Sequence, residues 1–258
     1  MPSYTRLHAT LRSAGRKQSR AIAAGVIAVA SSFGHTGAAR AQAANHYPAA
    51  APIEQYRVKS KAEEIALARS AAPPSISAAA EVLVLGDRGY ETAVKGTNGY
   101  VCFVERSWAA GFDDAEFWNP KLRSPNCFNA TAVRTELPQL LKRSEWVLAG
   151  VSRQEIIART REAYANHTFQ RPEPGALTFM LSKDGYTSDA AGGPWLPHLM
   201  FFVPFDQAAV WAACAEGSPV ICHDGSEIES TLLLIPVRRW SDGSPAPPAI
   251  AQHAQMRK

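Results

Sequence analysis

Apolar and polar positions divide the chain into short elements with clear punctuation. Ser60-Lys61-Ala62-Glu63 places a serine three residues before a glutamate, the pattern of a capping box, and predicts a helix to about Ala71 that Pro73-Pro74 stops. Glu81-Val-Leu-Val-Leu85 is an apolar, β-branched run, Tyr90-Glu-Thr-Ala-Val94 alternates, and Tyr100-Val-Cys-Phe-Val104 is apolar again. Gly86-Asp87-Arg88-Gly89 and Gly96-Thr97-Asn98-Gly99 separate these runs, so the spacing predicts an antiparallel meander. Residues 107–130, rich in Trp, Phe, Asn, Asp and Pro, read as a long ordered loop with a helical turn after Asp113-Asp114.

Helical periodicity then predicts one helix from about Thr131 to Ala149, with Pro138 near its start or at a kink and Gly150 as its stop. Ser152-Arg153-Gln154-Glu155 is a second capping box and opens a helix through about Asn166. Strands are expected at 176–181, 198–203, 220–222 and 230–235, with a helical stretch at 206–215. The expected fold is α+β: an antiparallel sheet, built from an N-terminal meander and C-terminal strands, with helices packed on one face.

The two ends differ from this pattern. Arg6, Arg12, Arg16, Lys17 and Arg20 precede the apolar stretch Ala21–Ala30, and small residues follow to Ala39-Arg40-Ala41 and Ala41-Gln42-Ala43. A basic start, a short apolar core and an A-x-A exit are the parts of a cleavable secretory signal, expected over 1–41. Residues 42–56 read as a flexible leader, 57–240 as a single domain and 241–258 as a disordered tail. The signal accounts for the chain's formal charge of +4; the remainder is slightly acidic. It has no basic footprint for nucleic acid and no apolar run long enough to span a bilayer. The expected compartment is periplasmic or secreted.

An oxidising compartment gives the four cysteines, Cys102, Cys127, Cys214 and Cys222, a disulfide reading. Of three pairings, Cys102–Cys127 with Cys214–Cys222 is preferred, because each closes a local loop. No C-x-x-C, G-x-S-x-G, P-loop, G-x-G-x-x-G or H-E-x-x-H occurs, so no thioredoxin-type, hydrolase, nucleotide or zinc motif, and no cofactor, is indicated.

Three places carry candidate chemistry. The loop 184–198 brings Tyr186, Asp189, Trp195 and His198 into one short span, with His198 where the loop enters an apolar strand. That position suits a general base or a metal ligand, or else a histidine hydrogen-bonded at a strand end. Glu105-Arg106-Ser107-Trp108 follows a buried strand: Arg106 can hold a ligand carboxylate there, or pair internally while Trp108 packs. Cys222-His223-Asp224 places a thiol beside an imidazole, but neighbours on a strand face opposite ways.

The segments Ile65–Ala72, Val82–Leu85 with Gly89-Tyr90, Gly99–Trp108, Phe117–Pro120 and Trp195–Phe202 resemble a family of uncharacterised exported bacterial proteins. The resemblance spans roughly 60–205. It implies export and a single domain, and carries no catalytic residue with it. Three functions are therefore expected in order: a small-ligand-binding domain using Arg106, Trp108, Tyr186 and Trp195; a hydrolase, with or without a metal, using His198 with Asp189 or Glu105; and an interaction module for a cell-envelope protein.

Overall fold

The computed structural model describes residues 47–247, apart from 213–214, 216–217, 219 and 224–228, and gives backbone only at 208 and 221–223. The predicted signal therefore lies outside the described residues, as do the Cys214–Cys222 pairing and the side chains of Cys222-His223-Asp224.

The chain forms α1 (Lys61–Arg69), α2 (Pro74–Ser77), β1 (Glu81–Leu85), β2 (Tyr90–Val94), β3 (Val101–Glu105) and β4 (Ser124–Phe128). Then follow α3 (Ala130–Thr135), α4 (Leu137–Leu148), α5 (Arg153–Ala165), β5 (Leu177–Met180), β6 (His198–Pro204), β7 (Ile221–His223) and β8 (Ser230–Pro236). All eight strands join one sheet in the order β2-β1-β3-β4-β5-β6-β8-β7. The α+β class holds. Both serines cap their helices: Ser60 accepts the amide of Glu63, and Ser152 that of Glu155, each at 3.2 Å.

The N-terminal strands do not form a meander. β3 lies beside β1, and the two run parallel, with Glu81 opposite Val101 and Val82 opposite Cys102. A parallel pair needs a crossover, and here β2 supplies it. Because β2 runs antiparallel to β1, it returns the chain to the start of β1, where a short link completes the crossing. Along that link Thr97 N–H donates to Ala79 O at 2.8 Å, and Glu81 N–H to Tyr100 O at 2.9 Å. Gly96 makes the passage possible, since a Cβ there would sit 2.1 Å from the Glu81 nitrogen.

The expected 107–130 loop ends in β4, which pairs antiparallel with β3 over five residue pairs. Cys102 and Cys127 are opposite each other in that register and are disulfide-bonded. The expected 131–149 helix is two. Pro138 cannot donate to a preceding turn, and it sits instead in the first turn of α4, where its missing N–H costs nothing.

Helices cover both faces of the sheet, contrary to the one-face expectation. Val101 and Phe103 of β3 pack with Ala132 of α3 and Leu137 of α4. Their neighbours Cys102 and Val104 face the other way, against Ala68, Ala71 and Ala72 at and beyond the end of α1. Burial on both sides explains why β1 and β3 read as continuous apolar runs rather than alternating ones.

The ends of the domain are also longer than expected. Residues 47–56 do not form a flexible leader. Tyr56 is buried, its hydroxyl donating to Trp118 O at 2.8 Å, and Tyr47, Ala51 and Ile53 pack on the same aromatic cluster. At the other end, Ser241 N–H donates to Leu181 O at 2.9 Å, and Lys183 pairs with Asp242, so 241–247 is not a disordered tail.

Candidate functional site

β6 places His198, Met200 and Phe202 on one face by strict alternation. Leu232 and Leu234 of β8 and Met180 of β5 lie beside them on neighbouring strands. The result is a cavity of about 420 Å³, within the range of small-molecule sites, about 300–1,000 Å³. α4 contributes Gln139 and Leu140 to one wall. Two loops close the rest: Ala109 to Asp114, and a hairpin carrying Thr187, Ser188, Ala191 and Trp195.

Each loop is held from outside the cavity. In the first, Arg143 of α4 donates through Nη1 to the carbonyls of Trp108, Ala109 and Ala110 at 3.0, 3.5 and 3.2 Å. Its guanidinium also lies 4.2 Å from the Phe112 ring centre. In the second, Thr187 N–H donates to Gly193 O at 3.0 Å and Gly192 N–H to Ser188 O at 3.1 Å. Gly192 turns the hairpin at φ +63°. Asp189 then ties that hairpin to its surroundings, accepting from Tyr47 Oη (2.6 Å), Tyr186 Oη (2.7 Å), Asn119 Nδ2 and Lys121 Nζ (3.3 Å each). Those donors, Tyr186 first and Tyr47 next, hold its carboxyl well below the usual carboxylate range.

The electrostatics of the cavity wall are unusual. Burial pushes the Glu105 carboxyl up to about 8, only partly offset by the Arg143 charge and a hydrogen bond from Asn126. Glu105 is thus largely a neutral acid at pH 7. Burial pushes His198 down to about 4. Its Nδ1 lies 2.7 Å from Leu196 O. A carbonyl only accepts, so Nδ1 carries the proton and Nε2 keeps its lone pair. The Trp195 ring stands edge-on to the imidazole, centroids 4.8 Å apart. Gln139 is 3% exposed; its amide nitrogen donates to Glu136 Oε2 at 3.0 Å, while its Oε1 has no partner among the described residues.

The structure therefore sorts the residues singled out in the sequence. Glu105, Trp195 and His198 share the cavity. Glu105 on β3 and His198 on β6 are three strands apart, roughly 14 Å across the sheet at about 4.8 Å per spacing. Asp189 is not on the wall, so no His–Asp pair forms. Arg106 is not a ligand arm: it is fully buried, donating to Tyr56 O at 2.7 Å, to Val104 O, and to Glu64 Oε1 at 2.7 Å. Trp108 is core, its indole N–H donating to Ser144 Oγ at 2.9 Å. Tyr186 serves the Asp189 tie. Gln139, Met180 and Met200 went unnoticed in the sequence, although the period-two spacing of β6 already aligned Met200 with His198. Among the described residues, no three His, Cys, Asp or Glu side chains converge as a metal-binding group, and no helix is long and apolar enough to cross a membrane.

Compared with protein-family models, with curated proteins and with solved structures, the chain finds no match. The site is read from its own geometry.

Proposed function

We propose that this chain is an exported domain that binds a small, largely apolar molecule in the cavity between the sheet, α4 and the two loops. The basic, apolar and small-residue order of positions 1–41, and the likeness to exported bacterial proteins, support export to the periplasm or medium. The observation that carries the binding reading is the cavity itself: an apolar floor of Met180, Met200 and Phe202, with a few buried polar groups set into it. That composition is typical of sites for small ligands, where apolar contact supplies affinity and sparse polar groups fix orientation. The separation of Glu105 from His198 favours this reading over a hydrolase.

Ala191 is exposed at the cavity rim, so Ala191→Trp occludes the mouth without touching the core. A small apolar ligand is expected to raise the melting temperature of the wild-type domain and to leave the variant unmoved. Equal shifts in both would exclude the cavity as the site. Mass spectrometry of mature protein should find an amino terminus beginning just after Ala41 or Ala43; an intact Met1 on exported material would refute the signal.

A further inference from the structure

We propose that the 187–194 hairpin is a gate over the cavity, and that Asp189 is its latch, fastened by Tyr47 from the amino-terminal segment. This rests on the ligand-binding reading above and adds how that site is entered. The hairpin gives Thr187, Ser188 and Ala191 to the cavity lining, so any movement of it changes the mouth.

Both ends of the hairpin are fixed. At one, Tyr186 and Arg123 exchange backbone hydrogen bonds, each 2.8 Å. At the other, Leu196 is buried in the core. Between them the strands of the hairpin bond chiefly to each other, and its tip stands clear: a Cβ on Gly192 or Gly193 would meet nothing within 4 Å. Among the described residues, every hydrogen bond from 187–194 to the rest of the protein is made at Asp189. A segment tied at a single residue opens locally once that tie is broken, without unfolding the sheet beneath it.

The tie itself is finely balanced. The Asp189 N–H donates to the Glu116 carboxylate at 3.0 and 2.9 Å, which sets a second acid beside the Asp189 carboxylate. Asn119 Nδ2 serves both acids, at 2.9 Å to Glu116 Oε2 and 3.3 Å to Asp189 Oδ1. Like charges so placed repel, so the closed position depends on the donors around them. Lys121 is 60% exposed and 3.3 Å away, and screening by water leaves it little strength. Tyr186 Oη, at 2.7 Å, stands at the foot of the hairpin itself. Tyr47 Oη makes the shortest bond, 2.6 Å, and brings it from a separate element that is not on the cavity lining.

The test is Tyr47→Phe, which keeps the ring and removes the hydroxyl. Hydrogen exchange should quicken at the Asp189 amide by about three- to tenfold, the worth of one net hydrogen bond, while the amides of β3 keep their wild-type rates. Phenylbutanol serves as a small, largely apolar probe, its Kd measured by isothermal titration calorimetry and its rates by stopped-flow tryptophan fluorescence. Association and dissociation should quicken by one common factor and leave Kd unchanged, because the gate is crossed in both directions and Tyr47 touches no ligand. Unchanged exchange at Asp189, equal quickening throughout β3, or unchanged rates of probe binding would overturn the gate and leave the cavity as a ligand site. A changed Kd with an unchanged association rate would also overturn it, by making Tyr47 part of the site. No saturable binding of phenylbutanol to folded wild-type protein would remove the ligand-binding reading, while the exchange measurement would still decide the latch.

Discussion

Replacing Arg106 separates a structural role from a ligand-binding one. The guanidinium is fully buried and joins three parts of the fold: the Tyr56 carbonyl before α1, the Val104 carbonyl of β3, and Glu64 of α1. Glu64 Oε1 also accepts the Leu85 amide of β1 at 3.1 Å. Arg106→Met preserves apolar volume but leaves Glu64 as a buried charge without its partner. Breaking a buried pair from one side costs about 3–5 kcal/mol. For a domain of this size each kcal/mol lowers the melting temperature by about 2–4 °C, so a fall of roughly 6–20 °C is expected. Thermal unfolding by circular dichroism measures it. The double variant Glu64→Gln/Arg106→Met removes both charges and should recover part of the loss, a coupling that a double-mutant cycle isolates. A fall below about 3 °C, or a double variant no more stable than Arg106→Met, would refute the reasoning. So would loss of ligand affinity in folded Arg106→Met protein, since Arg106 does not line the cavity.

Two further outcomes follow from buried groups and close approach. Glu136 is fully buried and its carboxyl is pushed up to about 8 by burial. Because folding raises its pKa, its stabilising effect is complete below the ordinary carboxylate value and is lost as pH rises through about 8. Glu105 shares that window, and His198, pushed down to about 4, acts only below its ordinary value of 6.5. Urea midpoints should therefore fall between pH 6.5 and 8.5, with Glu136 contributing at most about 1.4 kcal/mol per pH unit; an undiminished slope in Glu136→Gln would contradict this. Gly96→Ala should cost about 1–3 kcal/mol and speed hydrogen exchange at the Glu81 amide, because its Cβ would overlap the start of β1. Unchanged exchange would argue against the parallel β1–β3 crossing.

The elements that could be read from sequence were those set by local chemistry. Ser60 and Ser152 cap helices whether or not anything packs on them, and the alternation on β6 aligns His198 with Met200 regardless of topology. What escaped was set by distant partners. β4 reads Ser-Pro-Asn-Cys-Phe, a poor strand by composition, and its extended state comes from pairing with β3 and from the Cys102–Cys127 bond. The parallel β1–β3 pair was hidden because β2 does the work usually given to a helix. The apolar continuity of β1 and β3 did signal a sheet covered on both faces, a signal that outweighs the short Gly-bearing turns. At the site, nearness along the chain misled: Asp189 and His198 are close in sequence, but the hairpin between them carries Asp189 outward to Tyr47 and Lys121. Gln139 came from a helix that no local motif connects to the cavity.

The ligand-binding claim can be tested at the cavity floor itself. The chain has four methionines, Met1, Met180, Met200 and Met256, and two of them line the cavity. In a carbon-13 methyl spectrum of methionine-labelled protein titrated with phenylbutanol, the Met180 and Met200 signals should shift together and saturate. Saturable calorimetric binding with Met180 and Met200 unmoved would place the ligand elsewhere and contradict the account.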